Sequence, residues 1–315
     1  MEENRLIAKI AYMYYIEKMD LKEIGELIGV SYATISRLLK KGREEGIIKI
    51  IINSPHEREI ELEEKLKNIL HVREIFSVYV EENYSYDNIL NLLGIEAARY
   101  LSLILKDGDN LGISLGRTMY NVVNNLRDVR QKKINLIQLF GHTPWFPIEL
   151  TSFDFINRLQ SKFNWSYNFI NSEAIVDNLE TKKILMSSEA IKEVFKLHKI
   201  IDIALISVGV VNPKLSYFYF KNYLKSVEIN EMVKNNIIGE TVFSFFDING
   251  NIYNTLLNDR MICLSTEDLL KINNKILIAG GLQKAEPILG AARAGLINTL
   301  ITDSLTLKKI YSLLN

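Results

Sequence analysis

The sequence predicts a small all-α head carrying a β wing, followed by a larger α/β body built on a largely parallel sheet. Three observations carry this prediction. Residues 21–43 (LKEIGELIGVSYATISRLLKKGR) read as two short helices around a tight turn. From residue 72 onward, β-branched runs alternate with amphipathic helical stretches, the pattern of a sheet covered by helices on both faces. The chain has 315 residues, too many for a single module at ~100–150 residues per domain.

The head comes first. Residues 5–16 (RLIAKIAYMYYI) put Leu6, Ile7, Ile10, Ala11 and Tyr14 at helical spacing. The next helix sets Leu21, Ile24, Leu27 and Ile28 on one face and stops at Gly29, where the absence of a Cβ lets the chain turn. Ser31 stands where an N-cap belongs, and Ile35, Leu38 and Leu39 form the buried stripe of the following helix. The outward face of that helix shows Tyr32, Thr34, Ser36, Arg37, Lys40 and Lys41. Hydroxyls and cations together suit a DNA major groove, the first for base edges and the second for phosphates. The plain alternative is an αα-hairpin with a solvated basic face. The preceding helix, and the β-branched run IIKIIIN at 47–53 with Lys49 set for the phosphate backbone, favour a winged helix-turn-helix over residues 1–54.

Ser54-Pro55 closes the head, and residues 55–71 form a linker. Within it EREIELEEKLKNIL (57–70) spaces Leu62, Leu66 and Ile69 as a short coiled-coil seam would. Two heptads are marginal, so a helix packed on the body is an equal reading. The body, 72–315, offers strands at 75–80, 110–113, 134–140, 201–208, 242–246, 275–279 and 297–302. A long helix at 87–105, a helix from Met119 and a terminal helix alternate with them.

Composition narrows the function. The 38 basic and 38 acidic residues cancel, so DNA affinity must come from the local patch Arg37, Lys40, Lys41, Arg43 and Lys49. Glu44 and Glu45 dilute that patch, and dimers or tetramers that add half-sites are expected. Cys263 is the only cysteine, which excludes an intrachain disulfide and a cysteine-cluster metal site. Flanked by Ile262 and Leu264, it reads as a core thiol. The N-terminus lacks a signal-peptide core, and no apolar run reaches the ~20 residues of a membrane span. A cytoplasmic location without a cofactor is expected.

Ligands in open α/β sheets bind beyond the carboxyl ends of the strands. The loop Gly112-Ile-Ser114-Leu-Gly116-Arg117-Thr118 joins a strand to a helix. Its glycines, hydroxyls, arginine and helix N-terminus make a phosphate cradle. The same residues spell G-x-S-x-G, the nucleophile elbow of α/β-hydrolases, which also needs a later histidine. The last histidine is His198, with more than a third of the chain beyond it, so a hydrolase is disfavoured. Gly280-Gly281-Leu-Gln-Lys284 follows the strand ILIA and suits a phosphate or sugar phosphate, or is a tight turn with a solvated lysine. Asp247, in FFDINGN, accepts hydrogen bonds from sugar hydroxyls or serves an Asx-type turn. His142, after NLIQLF, contacts a ligand or is an ordinary loop residue.

The head, KDGDNLGISLGRTMY, FFDINGNIYNTLLNDR and ILIAGGLQKAEPILGAARAGLINTLITD together resemble the SorC-type sugar-binding transcriptional regulators over nearly the whole chain, with the nearest likeness to that family's deoxyribonucleoside regulators. The resemblance implies a Rossmann-like body similar to the sugar-phosphate isomerase and deaminase fold, used for sensing without turnover. It implies a tetramer that binds operator DNA of a sugar or nucleoside operon, most simply as a repressor, and responds to a phosphorylated sugar. By position it assigns Ser114, Gly116 and Thr118 to phosphate, Lys284 to ligand contact, Asp247 to sugar hydroxyls and Arg260 to the vicinity of the site. One departure stands out. Where deoxyribose-5-phosphate sensors carry a Schiff-base lysine this chain has Phe140, so no covalent adduct is expected. The following GHTPWFP also departs, and Trp145 and Phe146 are stacking or core residues. The alternative function is a sugar-phosphate isomerase or deaminase-like enzyme bearing a DNA-binding head.

Overall fold

The computed structural model describes residues 2–49, 57–127, 129, 132–143, 152–211 and 223–315. It divides into two compact units, Met1–Glu57 and Arg58–Asn315.

In the first unit, α1 (Glu2–Ala11) runs into a π-helical turn, Tyr12–Ile16, and is followed by α2 (Leu21–Ile28) and α3 (Tyr32–Glu44). Ile7, Ile10, Met13, Ile24, Ile35, Leu38 and Leu39 make its core. The π turn holds an extra residue, which rotates the buried face. Met13 therefore goes inward, while Tyr14, expected on the core stripe, is exposed. Leu27, also expected inside, is 64% exposed. Asp20 starts α2 with a capping box: its side chain accepts from the Lys22 and Glu23 amides, and Glu23 accepts from the Asp20 amide. Gly29 ends α2 at φ 79°. Ser31 caps α3, its Oγ accepting from the Thr34 amide at 3.2 Å. Residues 47–49 form no strand. The rest of the expected wing, 50–53, lies outside the described residues.

The second unit contains, in chain order, α4 (Glu57–Leu70), β1 (Glu74–Val78), α5 (Tyr86–Ile104), β2 (Asn110–Ile113), α6 (Arg117–Asn125), β3 (Asn135–Gln138), α7 (Ser152–Lys162), β4 (Ser166–Asn168), α8 (Leu179–Ser187), α9 (Glu189–Leu197), β5 (Ile203–Ile206), β6 (Gly209–Val210) and α10 (Ser226–Lys234). It continues with β7 (Gly239–Thr241), β8 (Ser244–Phe246), β9 (Ile252–Tyr253), α11 (Thr266–Lys271), β10 (Asn274–Ile278), α12 (Ala285–Arg293), β11 (Thr299–Asp303) and α13 (Ser304–Leu314). Seven strands form one parallel sheet in the order β1-β11-β10-β5-β2-β3-β4. Its inner strands are buried along nearly their whole length, as strands covered on both faces must be. From β2 the chain steps outward through β3 to β4, and from β5 it steps the other way through β10 to β11. The direction reverses between β2 and β5, the point beyond whose carboxyl ends sheets of this kind form their ligand crevice.

A second sheet, β6-β7-β8-β9, is antiparallel. The run 242–246, expected as one more strand of the alternating series, belongs here in part. Only Ser244–Phe246 is strand, and Val242 and Phe243 form the hairpin turn at φ 49° and 59°. Helix α4 packs on the body: Leu66 and Leu70 join its core. Glu63 accepts from both the amide and the hydroxyl of Ser77 at 2.6 Å. Ile69, the third residue of the supposed seam, is exposed.

Candidate functional site

The crevice is built from loops leaving four adjacent strands. After β2, the Ser114 amide donates to the Leu205 carbonyl of β5, which pins the loop across the reversal point. Gly116 at φ 125° then opens α6 with no side-chain cap, leaving amides of the first turn to a ligand. Ser114 is 5% exposed and its Oγ has no hydrogen-bond partner among the described residues. Beyond β3, Thr143 is 3% exposed with its Oγ1 in the same condition. Buried hydroxyls are ordinarily satisfied; among the described residues Trp165 Nε1, His198 Nδ1 and the Thr302 hydroxyl share this condition. Thr143 carried no signal in the sequence beyond its place beside His142.

After β10, Gly281 takes φ 92° and its amide donates to Asp303 Oδ2 at 2.7 Å. Asp303 is buried, caps α13 through the Thr306 amide at 2.8 Å and also accepts from the Thr306 hydroxyl. A Cβ on Gly280 would stand 2.5 Å from the same carboxylate, so the paired glycines are required by this close approach. The turn delivers Lys284 to the crevice, where its Nζ donates to the Val208 carbonyl after β5. Burial lowers the Lys284 ammonium to about 8, helped by Arg117 and opposed by Glu240. Arg117 lies over the Tyr86 ring at 5.1 Å and 3.7 Å from Asp87. Ser114, Gly116, Arg117, Gly280, Gly281 and Lys284 thus belong to loops around one crevice, and Thr118 follows on the first turn of α6. Glu240 of β7 is the acid of this cluster, and the sequence reading missed it.

Four other expected residues have different occupations. Gly112 serves packing: a Cβ there would lie 2.7 Å from Leu139. Arg260 is buried and engaged, with a two-pronged bond to Glu228 at 2.8 Å and bonds to the Val176 and Tyr223 carbonyls. Four of the five guanidinium N–H groups are thus spent on structure. Asp247 accepts from the amides of Asn249 and Asn251, the Asn251 side chain and the Tyr253 hydroxyl. Burial works to raise its pKa, but these bonds together hold it below the usual carboxylate range. That is the Asx-type turn. His142 donates from Nδ1 to the Ser172 carbonyl at 2.9 Å, with Nε2 3.9 Å from Glu173. Phe140 packs edge-on against Phe243 at 5.2 Å and is buried. Trp145 and Phe146 lie outside the described residues.

A nucleophile elbow is absent. Ser114 does not adopt the left-handed backbone. Both described histidines near the sheet bond to carbonyls instead, His198 through Nε2 to Gln138 at 2.8 Å. Cys263 is half-buried, and burial pushes its thiol up to about 12. No cluster of His, Cys, Asp and Glu among the described residues could hold a metal.

In the first unit, Ser31, Tyr32, Ser36, Arg37 and Lys40 are exposed on α3, while Thr34 is half-buried and its hydroxyl bonds that of Ser31 at 3.0 Å. The cations are partly compensated. Lys41 pairs with Glu3 at 2.7 Å and Glu45 at 3.7 Å, and Lys40 with Glu44 at 3.8 Å. Arg43 donates to the Tyr15 hydroxyl at 3.1 Å. Arg37 makes no ion pair among the described residues.

Residues 54–312 match the model of a family described as "Putative sugar-binding domain". The deoxyribonucleoside regulator of Bacillus subtilis is 29% identical over 99% of this chain and 98% of its own length. The sorbitol operon regulator of Klebsiella pneumoniae is 28% identical over 96% of each chain. Among solved structures, the full-length sorbitol operon regulator SorC of Klebsiella pneumoniae resembles this chain with a TM-score of 0.74 and 26% identity, over 97% of this chain and 98% of that one. Among the described residues no helix is long and apolar enough to cross a membrane.

Proposed function

This chain belongs to the sugar-binding domain family, and from that premise we propose that it is a DNA-binding transcriptional regulator of a carbohydrate or nucleoside operon, controlled by a phosphorylated sugar held non-covalently in the body. The relatives quoted above are regulators and not enzymes. The observation that carries the effector reading is the orphaned Ser114 hydroxyl beside the uncapped start of α6, with Arg117 and Lys284 at hand. A phosphate there receives helix amides, a hydroxyl and two cations. For the head, α3 is the reading helix and Arg37 its least compensated cation. The partial pairing of Lys40 and Lys41 leaves a single head weakly basic, which favours an oligomer, a tetramer by family resemblance, placing heads in successive major grooves about 34 Å apart. The protein works in the cytoplasm, with residues 1–54 as the DNA-binding head, 55–71 as linker and 72–315 as effector domain. Repression is the simplest sign of the response.

The test is a gel shift on the DNA upstream of the chain's own gene with a panel of sugar phosphates. Specific binding altered by one of them is the expected result. Arg37→Ala should remove DNA binding and leave sugar-phosphate binding intact. Lys284→Ala should do the reverse, weakening effector binding by roughly tenfold or more, the scale of one lost charge-assisted bond. Loss of both functions in either variant would point to misfolding, and an unchanged effector response in Lys284→Ala would put the pocket elsewhere.

A further inference from the structure

Arg117 opens α6, and its side chain is 44% exposed. A flexible arginine loses rotamer freedom when it grips an anion, so a surface that holds the guanidinium beforehand raises affinity. Helix α5 supplies that surface.

Strand β1 delivers α5 to the carboxyl end of the parallel sheet, the end that carries the loops of the crevice. Ser85 caps α5 by accepting from the Asn88 amide at 3.2 Å, which sets Tyr86 and Asp87 on its first turn. The helix is then fitted against both loops. A Cβ on Gly94 would lie 2.7 Å from the Asn121 carbonyl, so α5 meets the backbone of α6 one turn after Arg117. On the other side, a Cβ on Gly280 would lie 2.8 Å from Leu93, and one on Gly281 would lie 3.2 Å from the Tyr86 ring. Tyr86 therefore adjoins both the start of α6 and the paired glycines. Its half-buried ring has Gly281 at one edge, and the Arg117 guanidinium lies over it at 5.1 Å from the centroid.

Asp87 meets the same guanidinium at 3.7 Å, with its side chain 83% exposed. Solvent screens such a pair, and a phosphate dianion can displace it. A cation keeps its place on an aromatic face while its N–H groups bond an anion. Lys284, lowered by burial and opposed by Glu240, is lowered further by Arg117, so the two cations named for the phosphate are neighbours.

We propose that Tyr86 is a positioning residue of the effector site. Its ring holds the Arg117 guanidinium ready for the phosphate of the sugar and acts through that cation, without touching the ligand. Asp87 shares the guanidinium and yields it to the phosphate. The role of Tyr86 presupposes the phosphate site described above.

Calorimetric titration of the full-length protein with ribose 5-phosphate, deoxyribose 5-phosphate, glucose 6-phosphate and fructose 6-phosphate tests this. With the sugar that binds most tightly, Tyr86→Leu should weaken binding by about threefold to fivefold, the effect of one partly exposed cation–aromatic contact. Tyr86→Phe keeps the aromatic face and should bind within about twofold of wild type. Arg117→Gln should itself weaken binding by about tenfold, and adding Tyr86→Leu to it should cause no further loss. Asp87→Asn should bind at least as tightly as wild type. An equal loss from Tyr86→Leu with and without Arg117 overturns the proposal, because a ring that merely supports the fold or packs on Gly281 acts without that cation. So does a loss in Tyr86→Phe as large as in Tyr86→Leu, or weaker binding by Asp87→Asn, which would make the carboxylate and not the ring the group that holds the guanidinium. If Lys284→Ala weakens binding while Tyr86→Leu leaves it unchanged, the phosphate site stands and this inference alone is wrong. If wild type binds none of the four sugars, the phosphate site itself fails, and this inference with it.

Discussion

Lys284 sits between two demands. Burial lowers it first, Arg117 lowers it further and Glu240 raises it, to a net value of about 8 against an ordinary 10.5. Between these values the unfolded chain binds more protons than the folded one, so this group's contribution to stability rises with pH through that window. Below about 8 the charged amine is a cost of the folded state. Ligand binding carries the opposite dependence. A phosphate favours the ammonium, so above that pH the complex must take up a proton. Sugar-phosphate affinity should fall as pH rises from 7.5 to 9.5, by at most about tenfold per unit, and Lys284→Gln should flatten the profile. Calorimetry in buffers of different ionisation enthalpy would show the proton uptake directly, and a flat wild-type profile would remove Lys284 from the ligand. The sequence disclosed this lysine because paired glycines after a strand announce a close approach. It did not disclose Glu240, whose neighbours Gly239 and Thr241 carry no motif. Nor did it disclose that Glu228, 32 residues away, occupies Arg260. Those facts depend on which strands and helices become neighbours.

Helix α3 shows the same logic at the scale of an element. Gly42 is buried on its inner face, where a Cβ would come within 2.5 Å of Ile7 and 2.8 Å of Ile48. Alanine, a better helix former, would here be worse, because the crowding outweighs the gain in propensity. Gly42→Ala should destabilise the first unit by about 1–3 kcal/mol, read from its melting transition. A stabilised variant would mean that α1 and α3 do not meet at this point. Most elements were legible because long amphipathic helices and buried β-branched strands carry strong periodicity. Asn110–Ile113 and Glu57–Leu70 match the sequence reading residue for residue. The strands missed were β4, β6, β7 and β9, each of two or three residues and too short to show a period, and the helices α7 to α11 were not placed either. The hairpin turn at Val242-Phe243 was hidden because a β-branched residue at positive φ contradicts local preference and is held by tertiary bonds. The π turn after α1 misled for a related reason, since one inserted residue shifted the inward stripe from Tyr14 to Met13.

For the whole molecule, regulation requires that a sugar in the second unit alter what the first unit does on DNA. Each unit buries its own core, Ile7 to Leu39 in one and Leu66 to Ile310 in the other, as independently folding domains do. Residues 57–315 alone should therefore fold and bind the effector within roughly twofold of the full chain, while binding no DNA. The coupling should appear only when DNA is present. If a sugar phosphate weakens operator binding by some factor, operator DNA must weaken sugar binding by the same factor, because the two equilibria share one cycle. Titrating the sugar into the full chain with and without a saturating operator duplex measures that factor from one side, and gel shifts at zero and saturating sugar measure it from the other. Agreement of the two values would establish a ligand-controlled regulator. A sugar that releases the protein from DNA while its own affinity ignores the operator would be acting by some other route, such as competition for the basic face of α3, and the body would then not be the sensor.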